Sequence, residues 1–452
     1  MEQLDFLFVY EHKVRELDNL CLAKYELDKR GYKTKIVYIE DAGNALCPRP
    51  IYHAKVLCTM ACYNNKTAKW HAKDYVKFDK IIDLQWENIV YPKDEEREGA
   101  FKNYIEIGKE VPHVSWGEQN VKRLKNAAHL DPKMIKLTGH MGMDFLREPL
   151  NRFYTGREEF FKKYDLDPGK KTIFFASPYY GDSLSEDYIR DMCFRFGDNW
   201  TDYYKFMCDS QHIVIEWFER ICNKYPEIQV VFRPHPGHPS IMADEAAKRT
   251  PNFRVIGEDS VKQWIVTCDR VYTGNSSVVV EAFFAKKMCE LLFPIPVTEG
   301  FELKLISGSR QITTYDEFEA SIIADSNEFP VPKENIEEIY LIDWERFNFE
   351  KFADMAEEVL KDDYYKLTRA QIRDIYNYPL TTRIIKMISG IAPVRKLYLK
   401  MLDNEKNRSA FWQNQRQIRQ RAYDIEEEYS FETTSDEEIE SIISRIRSAL
   451  ES

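Results

Sequence analysis

Residues 172–293 alternate between short apolar runs and segments with helical spacing, and this alternation leaves few possible folds. Strands that alternate with helices form parallel sheets covered by helices, because each crossover returns the chain to the same edge. The apolar runs predict strands at TIFFAS, IQVVFRP, FRVIG, DRVYTG and CELLF. The helical spacing predicts helices at Ile213–Lys224, Ser240–Arg249, Val261–Thr267 and Ser277–Lys287. This part of the chain is therefore expected to form a doubly wound α/β sheet.

The N-terminal region shows the same arrangement. DFLFVY is an apolar run, residues 14–25 have helical spacing, and KTKIVYI is a second apolar run. A strand, a helix and a strand in succession imply parallel pairing with a right-handed crossover. Further apolar runs follow at AKVLCTM, KIIDLQ, VPHVSW and MIKLTG. We therefore expect a separate Rossmann-like sheet over residues 1–150.

The length of 452 residues exceeds the size that a single hydrophobic core usually reaches, so at least two domains are expected. The polar stretch at 147–171 predicts a linker with one helix. The predicted layout is a Rossmann-like domain at 1–150, a second at 165–335, and a helical crossover with a charged extension at 336–452. Two doubly wound domains in tandem would face a cleft, and ligands bind at the carboxyl ends of the strands in open α/β sheets.

Charge and apolar patterning exclude several classes of protein. The formal net charge of −11 argues against a general nucleic-acid binder, which needs a basic surface. No apolar run reaches the roughly 18 residues of a membrane-spanning helix, and the N-terminus has no basic leader. We expect a cytoplasmic protein, attached at most to the inner face of a membrane. The nine cysteines are scattered, which favours reduced thiols over a zinc site.

The stretch FRPHPGHPS at 232–240 follows the predicted strand IQVVF at its carboxyl end. Arg233 offers a planar set of hydrogen-bond donors, His235 offers a donor that titrates near neutral pH, and the prolines stiffen the turn. Such a turn is suited to a phosphate group. The alternative is that the histidines only cap or pack within the loop.

A second stretch, YTGNSSVVVEAFFAKK, places small polar residues between a strand and a helix. Gly274, Asn275, Ser276 and Ser277 would let a phosphate approach backbone N–H groups and hydroxyls. Gly274 lies 41 residues after Arg233 (274 − 233), so both loops can leave the same edge of one sheet. One turn further on, the carboxylate of Glu281 could bind ribose hydroxyls or serve as an ordinary helix acid. Asn and Ser also act as plain helix caps.

Together, FRPHP and TGNSSVVVEA resemble the histidine-proline and paired-serine motifs of bacterial GT-B enzymes that build surface polysaccharides. These include capsule Kdo transferases, polysialyltransferases and CDP-glycerol glycerophosphotransferases. The N-terminal YEHKVRELDNLCLAKYELDKRGY is similar to the start of surface carbohydrate biosynthesis proteins. The resemblance implies that four side chains contact the phosphates of a donor nucleotide and that Glu281 reaches its sugar. The four are Arg233, His235, Ser276 and Ser277.

The glycerophosphotransferases carry an acid and an aromatic residue where this chain has Gly274 and Asn275, and HVSWGEQN has no clear match to their His-Gly-Thr motif. For the acceptor side, the ends of the N-terminal strands supply candidates for a general base, which must reach an acceptor hydroxyl. Glu11 and Glu118 are the predicted catalytic residues. The further candidates are His12, His113 and His140. Acids at helix N-termini are also favoured by the helix dipole alone.

We therefore expect a glycosyltransferase that moves a sugar from a CMP- or UDP-linked donor to a growing surface polysaccharide such as capsule or lipopolysaccharide. No cofactor or built-in metal is predicted, because Asp and His residues do not cluster at metal-ligand spacing. The GT-B resemblance is compatible with this, since helix ends and basic side chains can stabilise a departing phosphate. The alternatives are a CDP-alditol-type polyol-phosphate transferase, a sugar-nucleotide epimerase and a non-catalytic scaffold subunit. The basic segment 383–421, about +8 from ten Lys or Arg and two Asp or Glu, could contact an anionic membrane near a lipid-linked acceptor or pack as a crossover helix.

Overall fold

A computed structural model describes most of the chain. The described residues are 1–39, 50–72, 76–86, 88–89, 104–179, 184–197, 200–235, 238–323, 328–377, 391–404, 406, 409–410, 412–413, 416–417, 420 and 430–451. They form two compact units. One comprises Met1–Asn88, Gly99–Met141 and Leu341–Arg447, and the other consists mainly of Gly142–Tyr340.

The first unit contains a six-stranded parallel sheet in the order β2-β1-β3-β4-β5-β6. Its strands are β1 (Glu2–Tyr10), β2 (Thr34–Tyr38), β3 (Tyr52–Thr59), β4 (Val76–Asp83), β5 (His113–Ser115) and β6 (Ile135–Leu137). Its helices before residue 141 are α1 (Lys13–Lys29), α2 (Asn65–Ala72) and α3 (Glu118–Asn126). Residues 6–10 have no exposed surface, as expected for a strand covered on both faces. The predicted N-terminal sheet is confirmed.

The second unit contains another six-stranded parallel sheet, in the order β12-β11-β10-β7-β8-β9. Its strands are β7 (Lys171–Ala176), β8 (Ile228–Arg233), β9 (Phe253–Val255), β10 (Arg270–Thr273), β11 (Cys289–Leu292) and β12 (Gln311–Ile312). Its helices are α4 (Arg157–Lys163), α5 (Glu186–Phe196), α6 (Trp200–Lys224), α7 (Ile241–Arg249), α8 (Val261–Thr267), α9 (Val278–Phe284), α10 (Tyr315–Ile323) and α11 (Lys333–Ile339). All five predicted strands are present.

The helix predicted from Ile213 begins earlier, at Trp200. Its first turns bury Trp200, Tyr203, Phe206 and Met207, whose spacing continues the apolar face of the predicted helix. Strand β12 and helices α5 and α10 were not predicted. Strand β12 has only two residues, Gln311 and Ile312, too few to produce a recognisable apolar run.

The C-terminal helices up to Arg447 belong with the first unit. They are α12 (Asn348–Lys361), α13 (Arg369–Tyr376), α14 (Ala392–Leu402) and α15 (Asp436–Glu451). Helix α12 lies on α1, where Arg30 forms a 2.8 Å ion pair with Asp354. Within the described ranges, no helix is long and apolar enough to cross a membrane. Much of the basic segment 383–421 lies outside the described residues.

Lys80 of β4 fixes the end of α12. Its side chain is buried, and its Nζ donates to the backbone oxygens of Val359, Leu360 and Asp362 at 2.8, 2.7 and 2.9 Å. The last carbonyls of a helix lack partners within the helix, and a cation also interacts favourably with the helix dipole. A buried ammonium group thus attaches the C-terminal helices to the N-terminal sheet.

Replacing Lys80 by methionine is expected to lower the free energy of unfolding by about 2 to 3 kcal/mol, because it leaves buried carbonyls without a donor. Urea denaturation followed by circular dichroism measures the loss. Lys77→Met is the matched control, since Lys77 is an exposed residue of the same strand. Equal stability of the two variants would show that the contacts of Lys80 with α12 contribute nothing to the free energy of unfolding.

Candidate functional site

Arg233 is the last residue of β8 and lies at the carboxyl edge of the second sheet. Its Nη2 donates to the backbone oxygen of Asp259 at 3.2 Å, while its Nε is buried and has no hydrogen-bond partner among the residues that the structure describes. Burial lowers the pKa of the guanidinium, and the negative charges of Glu281 and Asp259 oppose this effect. A buried N–H group without a partner is costly unless a ligand supplies the acceptor.

His235 and His238 form the turn after this strand. The backbone N–H of His238 donates to the oxygen of His235 at 3.0 Å, and the two rings lie 5.3 Å apart. Burial lowers the pKa of His238, which favours its neutral imidazole. His238 was not among the predicted site residues, although it stands in the same motif. The structure therefore provides two imidazoles beside Arg233.

The second loop follows β10. A Cβ atom added at Gly274 would lie 3.1 Å from Cγ of Pro178 and 3.4 Å from the backbone oxygen of Leu292, so the loop passes close to its neighbours. The Oγ of Ser276 accepts from the backbone N–H of Val278 at 3.3 Å. Ser277 precedes α9 without capping it through its side chain. Both serines are partly buried beside this edge of the sheet.

Asn275 has a structural contact within this loop. Its Nδ2 donates to the oxygen of Phe301 at 2.7 Å, and its Oδ1 accepts from the N–H of Leu303 at 3.0 Å. Both ends of the amide therefore hold the 301–303 segment beside the serines. The sequence predicts Asn275 as a nucleotide-binding residue, whereas in the structure its amide holds a neighbouring loop in place.

Glu281 lies on α9 one turn after Ser277. Burial raises the pKa of its carboxyl group, and the positive charges of Lys262 and Arg233 oppose this effect. Its carboxylate forms no hydrogen bond or ion pair within the described part of the chain. Arg233 and Glu281 of the predicted site are therefore both partly buried, and their charges are close enough to influence each other electrostatically.

The topology explains why the two loops share one edge. Strands β8 and β10 both pair in parallel with β7, so their carboxyl ends point the same way. They are separated by two strand spacings, which is about 10 Å. A phosphate ester between them could contact both loops. The predicted meeting of these loops at one edge agrees with the strand order.

The acceptor candidates of the first unit lie at separate places along its sheet. Glu11 and His12 follow β1 and precede α1, with His12 Nε2 at 4.0 Å from Glu11 Oε2. Glu118 is exposed on the first turn of α3, after β5. Strands β1 and β5 are three positions apart in the sheet, about 14 Å. The structure does not bring Glu11 and Glu118 together.

His113 has no exposed surface. Its Nδ1 lies 2.8 Å from Asp83 Oδ2, and its Nε2 lies 2.7 Å from the backbone oxygen of Gly108. Asp83 also accepts from the N–H of Cys62 and from the side chain of Gln85. Both ring nitrogens are engaged inside the domain, so we leave His113 out of the proposed acceptor side.

His140 lies after β6 between two indoles. Its ring is 4.1 Å from that of Trp116 and 6.0 Å from that of Trp86. The backbone oxygen of His140 accepts from Asn348 of α12 at 3.2 Å. Trp86 and Trp116 follow β4 and β5 and were not predicted as site residues, although Trp86 directly follows the apolar run KIIDLQ and Trp116 ends the run VPHVSW. Within the described ranges, no cluster of three metal-ligating side chains is found.

Solved structures of other proteins are similar to this chain in fold. No protein-family model and no curated protein matches the chain. The solved structure of the wall teichoic acid polymerase TagF superposes with a TM-score of 0.50 at 12% identity, over 79% of this chain and 88% of that one. A variant of TagF gives a TM-score of 0.51 at 11% identity, over 80% and 89%. The chain has the GT-B fold.

Anabaena HepE in complex with UDP and glucose is a further similar structure, at 12% identity and a TM-score of 0.41, over 79% of this chain and 99% of that one. The two parallel sheets and their helices confirm the predicted fold class, and the GT-B resemblance of the sequence holds as a likeness of fold. The roles of individual site residues stay predictions.

Proposed function

We propose that this chain is a glycosyltransferase that moves a sugar from a CMP- or UDP-linked donor to a bacterial surface glycan such as capsule or lipopolysaccharide. The observation that carries the proposal is the presence of Arg233 and Glu281 at one sheet edge, close enough to influence each other's charge without forming an ion pair. Arg233 is partly buried with an unused Nε, and Glu281 is partly buried without a hydrogen-bonding partner among the described residues. A nucleotide supplies what each lacks, a phosphate oxygen for the cation and ribose hydroxyls for the anion.

The reaction then needs no covalent intermediate with the protein. The acceptor oxygen forms a bond to the anomeric carbon, the bond from that carbon to the donor phosphate breaks, and the nucleotide leaves with the electron pair. The acceptor proton goes to a base on the acceptor side. Arg233, His235 and the hydroxyls of Ser276 and Ser277 would stabilise the charge that develops on the leaving phosphate.

The proposal also concerns the acceptor glycan and the membrane near it. A lipid-linked glycan at the inner face of the membrane would bring the basic segment 383–421 near anionic lipid. A polyol-phosphate transfer from a CDP-alditol is the alternative that uses the same phosphate-binding loops. The phosphorus content of the product separates the two, because only the alternative leaves a phosphodiester in the polymer.

Thermal shift tests the donor site directly. CMP, UDP, CDP and GDP are added separately to the purified chain, and at 100 times its dissociation constant a bound nucleotide adds about 2.7 kcal/mol to the stability. We expect CMP or UDP to raise the melting temperature, with no shift in an Arg233→Ala variant. No shift with any nucleotide would contradict the proposed donor site.

Turnover is then measured with the matching sugar nucleotide, with and without a glycan acceptor. Glycan-dependent release of nucleotide supports the transferase. Consumption of the donor without glycan would instead support an epimerase. Donor binding without any turnover would support a scaffold subunit.

A further inference from the structure

The C-terminal segment 430–438 lies against the junction of β1 and α1. Tyr10 Oη donates to the backbone oxygen of Glu432 at 2.6 Å, and Lys13 Nζ donates to the oxygen of Thr433 at 3.0 Å and to Glu438 Oε2 at 2.8 Å. Burial raises the pKa of Tyr10, so its hydroxyl remains a donor. Residues more than 400 positions apart are thus held together at the carboxyl end of β1, an inner strand of the sheet.

The carboxylate of Glu432 lies between the start of α1 and the imidazole of His12. Its Oε2 accepts from the backbone N–H of Lys13 at 2.5 Å, at the start of α1. Its Oε1 lies 3.6 Å from Nδ1 of His12, and its side chain is only 12% exposed. Because Lys13 fixes one oxygen, the other is held facing the imidazole.

His12 is exposed on its other side. Its side chain is 52% exposed, and Nε2 lies 4.0 Å from Oε2 of Glu11. Neither separation is a hydrogen bond, but contacts of this kind often shorten only when a substrate binds. An acceptor hydroxyl that reached Nε2 would also lie near Glu11, the residue of this loop that the sequence predicts as a general base.

We propose that Glu432 is the positioning residue of a carboxylate–imidazole pair in which His12 is the general base of the transfer. Glu432 would keep the hydrogen of the neutral imidazole on Nδ1, which leaves Nε2 as the acceptor. As the acceptor oxygen bonds to the anomeric carbon and the nucleotide departs, the hydroxyl proton moves to Nε2. This inference rests on the proposed function and adds a residue from the C-terminal extension to the acceptor side.

The test replaces Glu432 by glutamine. The amide oxygen can still accept from Lys13, while its NH₂ group would face Nδ1 and donate to it. The hydrogen of the neutral imidazole should then move to Nε2. Nitrogen NMR of the histidine-labelled full chain, recorded where the ring is neutral, should report Nδ1–H for the wild type and Nε2–H for Glu432→Gln. We expect kcat to fall by about 10² to 10⁴-fold, with KM within about threefold.

Glu438→Gln is the matched control, because Glu438 forms an ion pair with Lys13 of the same junction, whereas the carboxylate of this segment that faces His12 is that of Glu432. It should keep the wild-type tautomer and kcat within about twofold, as expected for the loss of a solvent-accessible ion pair. A wild-type tautomer in Glu432→Gln, or equal kcat losses in both variants, would overturn the pairing. A third outcome is that the tautomer changes in Glu432→Gln as expected but the wild type transfers no sugar. That result would contradict the proposed function and would still establish that Glu432 orients the imidazole of His12.

Discussion

Replacing Arg233 by alanine is expected to lower turnover of the nucleotide donor by about 10² to 10³-fold, the usual cost of removing one donor aimed at developing charge. The free energy of unfolding should stay the same or rise. Burial disfavours the charged guanidinium, whose Nε has no hydrogen-bond partner among the described residues, so its removal relieves a desolvation cost. A group that costs stability while it supports activity is typical of a binding site.

Steady-state turnover and urea denaturation of the same preparations measure the two effects. Arg254→Ala is the matched control, since Arg254 lies on neighbouring β9 and is exposed, with a 3.8 Å ion pair to Asp165. Its turnover should stay within about twofold of the wild type. Arg233→Lys keeps the charge but loses the planar set of donors, so an intermediate loss is expected. Strong destabilisation of Arg233→Ala with unchanged donor affinity would give Arg233 a structural role.

The sequence was sufficient to predict the second sheet because each of its longer strands is a continuous apolar run. In a parallel sheet the carboxyl ends of the strands share one edge. The sequence alone therefore predicts that the loops at Arg233 and at Gly274 lie at the same edge. That inference needs only the direction of the strands, and strand direction follows from the crossover helices.

The acceptor side could not be predicted in the same way. The pairing of His113 with Asp83 depends on side chains 30 positions apart that turn into the domain. The distance between Glu11 and Glu118 depends on strand order, which apolar runs do not encode. The contact of Glu432 with His12 joins the two ends of the chain. Each depends on tertiary packing, for which local periodicity carries no signal.

A close backbone approach at Gly108 makes this position intolerant of any side chain. A Cβ atom there would lie 2.1 Å from the backbone oxygen of Tyr63 and 2.4 Å from its carbonyl carbon. Relief would require the 105–110 turn to move, and the oxygen of Gly108 would then leave His113, which it contacts at 2.7 Å. Because the neighbouring atoms are backbone, no side-chain rotation can make room.

Gly108→Ala is therefore expected to lower the free energy of unfolding by about 3 to 5 kcal/mol, the range of severe core substitutions. Gly156→Ala is the control, because a Cβ atom at Gly156 meets nothing within 4 Å and its backbone φ of −62° suits any residue. That variant should stay within about 1 kcal/mol of the wild type. Urea denaturation of both gives the difference. If Gly108→Ala is as stable as its control, the 105–110 turn must lie further from Tyr63 than the structure places it. The burial of His113 would then not depend on the position of this turn.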